Sequence, residues 1–158
     1  MKIYKYVTKK DKRGYFSKLL SNHNKNLIKR NIQEINLSYN NKKGTIRGLH
    51  YQSGSFKETK IIYVLKGKIF DVEVNLKTLK VKSKILSENQ KQFIVLNEDC
   101  AHGFQTMKEN CTVLYIHSNV YDKRSEMGVR FNDPEIDIKW PQEITLVSER
   151  DKSFDLIT

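Results

Sequence analysis

Histidine, tyrosine and acidic side chains occur in strand-like apolar segments of this sequence, and together they could perform acid–base chemistry. His50 lies in GTIRGLHYQ, His102 in CAHGF and His117 in TVLYIHS. The fourth histidine, His23, lies in an Asn-rich polar stretch, where we expect it to be solvated. A single histidine in an apolar segment is more often a half-buried residue with a backbone partner. Three such histidines in one small chain, with a tyrosine nearby, favour a functional site.

The alternation of side chains along a strand predicts which of these residues face the same way. In IRGLHYQ it places His50 and Gln52 on one face and Arg47 on the opposite face. In TVLYIHS it places the tyrosine and the histidine on one face. If the strands close one barrel and no β-bulge shifts the alternation, four side chains point into a common lumen: His50, Asp71, Tyr115 and His117.

Two kinds of chemistry fit this set of side chains. Imidazoles with a carboxylate inside a β-barrel suit Fe, Mn, Zn or Ni. A histidine base and a tyrosine acid on either side of a pocket suit metal-free proton transfer. The sequence contains no His-x-His pair of the kind that metal sites in small barrels often use, which favours proton transfer. Spacing alone leaves both interpretations open.

The elements that must position these side chains are predicted to be strands, because the dominant hydrophobic period is two. In IFDVEVNL apolar and polar residues alternate, and IIYVL with a turn at Gly67 predicts a hairpin with it. Only SNHNKNLIKRN is typical of helix, over one or two turns. Many short strands predict an all-β sandwich or barrel, of which the jelly roll is one form. Because no linker or repeat divides residues 1–158, we expect a single domain. The other predicted strands are KIYKYV, GYFSKLL, QEINLSY, TIRGLHY, KILS, QFIVL, GFQTM and CTVLYIHSNV.

The formal net charge of +11 comes mainly from lysines scattered along the chain. Dispersed lysine is more typical of a solvated surface than of a nucleic-acid-binding stripe, and no nucleic-acid reader motif occurs, so we expect no nucleic-acid partner. No apolar run approaches membrane-spanning length, so we expect no membrane partner. The start lacks an apolar signal core, and only two cysteines, Cys100 and Cys111, are present. We therefore expect a cytoplasmic protein with reduced thiols.

Several motifs in a fixed order resemble the dTDP-4-dehydrorhamnose 3,5-epimerase family of cupin-like sugar epimerases. The motifs are RGLHYQ, FDVEVNL, CAHGF, VLY, FNDPEIDIKWP and SERD, and the resemblance extends from DKRGYF to Asp151. It implies a cupin-type jelly-roll barrel that forms homodimers. It also implies epimerisation of a nucleotide-linked 4-keto-6-deoxy hexose at the carbons flanking the ketone, through an enolate and without metal or redox cofactor.

The resemblance also implies roles for individual residues. His50 matches the catalytic base, Asp151 the carboxylate that orients it, Lys60 the group that stabilises the enolate oxygen, and Tyr115 the opposing acid. Further positions match the polar pocket, the diphosphate site or other substrate and nucleotide contacts, and these are Arg13, Phe16, Arg47, Gln52, Asp71, His102, Tyr121 and Glu126.

His117 departs from the family pattern, because it stands where the family usually has a small polar residue. If it faces the lumen, it reshapes the pocket or offers another proton carrier. The sequence leaves open whether the nucleotide is dTDP, CDP, GDP or UDP, and whether C3, C5 or both centres are inverted. Two other functions also remain open, namely a metal-dependent cupin isomerase or oxygenase that uses His50, His102 and His117, and a non-catalytic nucleotide-sugar-binding module.

Overall fold

The structure, a computed structural model, describes residues 1–21, 25–28 and 31–157, and strands make up most of its regular structure. Within these residues, three 3₁₀ turns lie at Lys25–Leu27, Gly54–Phe56 and Glu88–Gln90, and one short helix, α1, spans Glu149–Lys152. The strands are β1 Lys2–Lys5, β2 Val7–Asp11, β3 Gly14–Lys18, β4 Glu34–Asn40, β5 Ile46–Gln52, β6 Lys60–Lys66, β7 Lys68–Asn75, β8 Val81–Ser87, β9 Gln92–Leu96, β10 Cys100–Thr106, β11 Cys111–His117 and β12 Glu126–Gly128.

Two antiparallel sheets of five strands face each other, and a separate hairpin of β2 and β3 stands apart from them. The first sheet has the order β1-β9-β6-β11-β4, and the second has the order β12-β5-β10-β7-β8. From β4 onwards, consecutive strands lie alternately in the first and the second sheet, except that β7 and β8 form a hairpin in the second. Two facing antiparallel sheets connected in this way are typical of a jelly roll. The all-β jelly-roll prediction is therefore confirmed.

The apolar side chains form three clusters, one between the sheets and one on the outer face of each sheet. Ile62, Ile94 and Val113 of the first sheet meet Ile69 and Phe104 of the second in the central cluster. Leu19, Leu20, Leu27 and Ile28 contribute to the cluster on the outer face of the first sheet, and residues 129–140 to the cluster on the outer face of the second. Both faces of each sheet are thus covered over part of their area, so burying these side chains stabilises the whole sandwich at about 25 cal/mol per Å² of apolar surface.

The alternating segment in β7 shows how this layering separates core from site. Val72 and Val74 pack outward against the covering segment 129–140. The alternate residues Asp71 and Glu73 are buried. The polar face of this strand is therefore also covered, and one of its carboxylates supports the functional site described below.

The predicted hairpin at Gly67 is wrong. β6 pairs with β9 and β11 in the first sheet, whereas β7 pairs with β8 and β10 in the second. Gly67 has a φ of +87°, and a Cβ on it would lie 2.5 Å from the Cys111 sulfur. The chain therefore crosses between sheets at a turn that only glycine fits, which a sequence pattern cannot distinguish from a hairpin turn.

Two strands, β2 and β12, and the helix α1 were not predicted, and one prediction is tested only in part. β12 is too short for a periodic signal, and α1 is a single turn whose N-terminus is capped by the Ser148 side chain. The helix predicted at residues 21–31 contains the 3₁₀ turn Lys25–Leu27, but residues 22–24 and 29–30, and with them His23, lie outside the described residues. Within the described part of the chain, no helix is long and apolar enough to cross a membrane.

Candidate functional site

A cavity of about 290 Å³ opens between the two sheets, and both sheets contribute to its walls. Most of its lining side chains can donate or accept a hydrogen bond, and several can ionise. They are Glu34, Asn36, Leu37, Ser38, Arg47, His50, Tyr51, Gln52, Glu58, Lys60, His102, Phe104, Tyr115, His117, Tyr121 and Glu126. The prediction of a common lumen is therefore confirmed for His50, Tyr115 and His117.

His50 is held by a buried carboxylate that is distant in sequence. Its Nε2 donates to Asp151 Oδ1 at 2.8 Å, and Asp151 is 3% exposed. Burial alone would raise the pKa of Asp151, but the hydrogen bonds from His50 and the Gly48 amide outweigh it and lower that pKa. An ionised carboxylate accepts a hydrogen bond from the N–H group at Nε2. Nδ1 is then the ring nitrogen that carries the free lone pair. Asp151 therefore fixes the orientation of the His50 ring and leaves Nδ1 available to accept a proton.

A β-bulge in β5 sets the direction of His50. His50 lies opposite His102 and Arg47 lies opposite Phe104, so two residues of β5 face one of β10 between these pairs. Gly48, within the bulge, has a φ of +119°, and a Cβ on it would lie 2.6 Å from the Cα of Gly103. Strict alternation, which placed Arg47 opposite His50, is therefore wrong here, because a bulge shifts the phase of the strand. Arg47 and His50 line the same cavity.

Arg47 on β5 is anchored by β4, the edge strand of the other sheet. Its Nε donates to the Asn40 side-chain oxygen at 2.6 Å, and one terminal nitrogen donates to the Tyr39 carbonyl at 3.5 Å. A guanidinium has five N–H donors, so these two contacts leave others for an anionic ligand. The position of Arg47 in the cavity wall fits the diphosphate contact predicted for it.

Tyr115 projects into the cavity from β11 in the opposite sheet. Its hydroxyl shares a hydrogen bond of 3.2 Å with the Ser38 hydroxyl. Burial raises the pKa of Tyr115 to about 12 and outweighs the lowering effect of that hydrogen bond and of Arg47. The phenol therefore keeps its proton at neutral pH and can act as an acid.

Asp71 and His102 form a second histidine–carboxylate pair. His102 Nε2 lies 2.7 Å from Asp71 Oδ2, and Asp71 is fully buried. Burial raises the pKa of Asp71 more than the pairing with His102 lowers it. Asp71 was predicted to face the lumen and contact the ligand, but it lies behind His102 and does not line the cavity. Its effect on a ligand passes through the orientation of His102.

A third pair was not predicted, because it depends on a residue outside any strand. His117 Nδ1 lies 2.7 Å from Glu58 Oε2, and the Lys60 ammonium lies 3.2 Å from Glu58 Oε1. Burial alone would raise the pKa of Glu58, but His117 and Lys60 together lower it. The alternation in TVLYIHS placed His117 correctly. In the sequence, the only indication of Glu58 was its position two residues before Lys60.

Three further predicted contacts line the cavity with differing freedom to bind a ligand. The Gln52 amide is already used, because it donates to the carbonyls of Phe56 and Val120 and accepts from the Asp122 amide. Tyr121 donates to Glu126 at 2.5 Å, and Glu126 also pairs with the Arg150 side chain. The hydrogen bond to Glu126 raises the pKa of Tyr121.

Arg13 and Phe16 do not line the cavity of their own chain. Both lie on the hairpin of β2 and β3, where Arg13 pairs with Asp11 at 2.7 Å and the Phe16 ring is 67% exposed. Among the residues that the structure describes, this aromatic side chain is therefore mostly uncovered.

The donor arrangement gives the metal-centred alternative no support. Among residues 1–21, 25–28 and 31–157, no group of three or more His, Cys, Asp or Glu side chains is arranged to hold a metal ion. Instead, each of the three cavity histidines pairs with its own carboxylate.

Comparison with known proteins gives one consistent family. The family model described as dTDP-4-dehydrorhamnose 3,5-epimerase matches residues 1–158. The enzyme of that name from Methanothermobacter thermautotrophicus is 30% identical over 157 residues, which cover 91% of this chain and 82% of the relative. The Salmonella typhimurium enzyme of the same name is 30% identical over 93% of this chain and 85% of its own.

Solved structures agree with this result. The Bacillus anthracis dTDP-4-dehydrorhamnose 3,5-epimerase, with TDP and PPi bound, superposes with a TM-score of 0.92 at 29% identity, covering 98% of this chain and 93% of that one. The Legionella pneumophila dTDP-6-deoxy-D-glucose-3,5-epimerase, in complex with dTDP-4-keto-L-rhamnose, gives a TM-score of 0.90 at 29% identity, covering 98% of this chain and 86% of that one.

Proposed function

The chain belongs to the dTDP-4-dehydrorhamnose 3,5-epimerase family and is a nucleotide-sugar epimerase, and from that premise we propose how its residues act. His50 removes a proton from a carbon next to the ketone of a nucleotide-linked 4-keto-6-deoxy sugar, and Tyr115 returns a proton to the opposite face. The observation that carries this proposal is that a base with an ionised partner and a phenol that keeps its proton line one cavity from opposing sheets.

The chemistry requires a base, an acid and a donor for the oxygen. A C–H bond next to a ketone can lose its proton because the charge that develops moves onto the carbonyl oxygen. Asp151 orients His50 and stabilises the imidazolium that forms, as the acid does in other histidine-centred sites. Proton transfer by a positioned side chain contributes roughly 10²–10⁴-fold. Stabilisation of the oxyanion is usually the larger contribution, and Lys60 is the cation we assign to it.

The nucleotide diphosphate is assigned to arginine side chains. A guanidinium binds phosphate through two parallel hydrogen bonds, and Arg47 lies in the cavity wall with donors to spare. The Bacillus anthracis relative has TDP bound and the Legionella pneumophila relative a dTDP-sugar, which supports dTDP as the nucleotide for this chain. His102, Tyr121 and Glu126 also line the cavity, and we therefore assign them contacts with the sugar and the nucleotide.

The protein is proposed to act as a homodimer in which each hairpin completes the partner's site. Leu37 on the edge strand β4 lines the cavity and is 62% exposed, and Ile35 and Tyr39 on the same strand are also more than half exposed. A hairpin docked on this edge would cover these side chains and bring Arg13 and Phe16 to the mouth of the cavity. This arrangement gives both residues the ligand contact that they lack in a single chain.

The pathway is proposed at the level of its chemistry. The substrate carries one ketone, at C4 between the two centres that can be inverted, and no hydroxyl at C6. An enzyme that converts the C4 hydroxyl of a nucleotide-sugar into a ketone while removing the C6 hydroxyl, with net loss of water, must therefore precede this one. We place the reaction in the cytoplasm and its product in polysaccharide biosynthesis.

The direct test is proton exchange in D₂O, followed by NMR with a panel of 4-keto nucleotide-sugars linked to dTDP, CDP, GDP and UDP. We expect deuterium to enter the carbons next to the ketone of the dTDP-sugar, with inversion at C3, C5 or both. Tight binding of every sugar without any exchange would instead identify a non-catalytic binding module and overturn the proposal.

A further inference from the structure

We propose that Glu58 is a positioning residue for Lys60, and that His117 holds Glu58 in place for that task. This inference rests on the proposed function, because it assigns a role within the same site.

The geometry joins three ionisable side chains through one carboxylate. His117 on β11 and Lys60 on β6 are direct cross-strand partners, and Glu58 lies two residues before Lys60. One carboxylate oxygen of Glu58 is 2.7 Å from His117 Nδ1, and the other is 3.2 Å from the Lys60 ammonium. Each oxygen of Glu58 therefore has its own donor.

All three side chains are largely buried, so the loss of one contact among them would cost free energy. The side chains of Lys60, Glu58 and His117 are 13%, 6% and 14% exposed. A buried charge without a partner costs free energy, because low dielectric disfavours the charged form. A buried carboxylate that lost a donor would be left with an uncompensated charge. The three groups therefore depend on one another, and Glu58 holds the Lys60 ammonium in place.

The proposed reaction requires the Lys60 ammonium to be held in a fixed position. An ammonium on a four-carbon stem has many rotamers, and an oxyanion donor is effective only when it is fixed before the charge develops. Glu58 restricts those rotamers from within the cavity wall. His117 in turn restricts Glu58, because its ring donates from β11 and lies against Tyr115 with ring centroids 6.0 Å apart.

The other two histidine–carboxylate pairs differ in this respect. Asp151 binds His50 and the Gly48 amide, and Asp71 binds His102. Within the part of the chain that the structure describes, neither carboxylate forms a salt bridge with a lysine, whereas Glu58 bridges a histidine and a lysine. Glu58 therefore contacts Lys60, the group proposed to stabilise the oxyanion, whereas the proposed base His50 is held by Asp151.

A double-mutant cycle on kcat tests this proposal. Glu58→Gln, which keeps the size and one oxygen of the side chain, is expected to lower kcat about 10- to 100-fold with little change in KM, because a single oxyanion donor is worth roughly 10²–10³-fold and the variant misplaces it without removing it. In a Lys60→Met background the same change is expected to have almost no further effect, since residues that act as a unit are not additive. A purely structural role for Glu58 would give the same loss in both backgrounds.

Two further variants keep the test decisive. His117→Gln is expected to give a smaller loss of kcat that also disappears in the Lys60→Met background, and it serves in place of Glu58→Gln if that variant does not fold. Asp99→Asn is the matched control, because it weakens the partly exposed ion pair between Asp99 and Lys57, the residue that precedes Glu58. This variant is expected to leave kcat unchanged.

The outcomes separate this inference from the proposed function. If the wild-type protein shows no proton exchange, the proposed function fails. If the wild-type protein exchanges protons but Glu58→Gln keeps full kcat, or if its loss is additive with Lys60→Met, only the role of Glu58 is overturned.

Discussion

His50 on β5 and Tyr115 on β11 line a single cavity from two opposing sheets. Inversion of a carbon centre needs proton removal on one face and proton return on the other, and residues on facing sheets are suited to that geometry. The hydrogen-bond partners support opposite roles, since Asp151 lies beside His50 and the Ser38 hydroxyl beside Tyr115. One residue is therefore equipped to accept a proton and the other to donate one.

His50→Asn is expected to abolish deuterium exchange at the carbons next to the ketone. The loss should be at least about 10²-fold, because a positioned general base contributes roughly 10²–10⁴-fold. The measurement is NMR in D₂O with the dTDP-linked 4-keto sugar. Binding of dTDP by titration calorimetry should persist, which separates loss of chemistry from loss of fold. Exchange at the wild-type rate would show that another group is the base.

Tyr115→Phe is expected to separate exchange from inversion. His50 remains able to remove the proton, so deuterium should still enter the substrate, whereas the epimerised product should form much more slowly. Both quantities can be read from one NMR time course. Tyr4→Phe is the control, because Tyr4 stacks on Phe93 away from the cavity. Equal rates of inversion in Tyr115→Phe and wild type would remove the phenol from the mechanism.

The alternation of the sequence was sufficient to bring several side chains to the cavity, but not all of them. It placed His50, Tyr115 and His117 correctly. It failed for Arg47, because the bulge at Gly48 depends on the close approach of a second backbone at Gly103, which one strand's pattern does not contain.

Long-range partners were also beyond the residue pattern. Asp151 meets His50 across 101 positions of sequence, and it was identified only through resemblance to the family. Glu58 was missed altogether, because its side chain is directed by a segment between the strands whose path is set by tertiary packing and not by periodicity.

Two buried carboxylates are expected to respond to acid with opposite signs. The lowered pKa of Asp151 means that its contribution to the free energy of unfolding is present above the unfolded value of about 3.9 and is lost as pH falls through the folded pKa. The raised pKa of Asp71 means the reverse, with stability lost as pH rises from about 3.9 towards the folded pKa.

Urea unfolding of Asp151→Asn and Asp71→Asn at several pH values from acid to neutral tests these signs. The stability deficit of Asp151→Asn relative to wild type should shrink as the pH is lowered. The difference between Asp71→Asn and wild type should move in favour of the variant as the pH is raised. The same pH trend for both variants would contradict the assigned directions.

Gly48→Ala is expected to destabilise the fold by about 3 kcal/mol or more. A left-handed backbone costs an L-residue about 1–2 kcal/mol, and overpacking adds about 1–3 kcal/mol, because the new Cβ would lie 2.6 Å from Gly103. Gly54→Ala is the matched control, since Gly54 also has a positive φ of +60° but has nothing within 4 Å of the added Cβ. Chemical denaturation of both variants gives the comparison, and equal losses would show that close approach at Gly48 costs nothing.

Complementation between two impaired chains is expected to reveal whether the hairpin serves the partner's site. Arg13→Ala should lower activity about 10- to 100-fold through loss of a charge-assisted contact to phosphate. Co-expressed with His50→Asn under a second affinity tag, it is expected to form a heterodimer in which one site has His50 from one chain and Arg13 from the other. That heterodimer should recover about half of the wild-type activity, because one of the two sites of a symmetric dimer is complete. The control pairs His50→Asn with Asp151→Asn, which should stay inactive, since both residues act within one chain at 2.8 Å. An inactive Arg13→Ala and His50→Asn heterodimer would place Arg13 outside the partner's site.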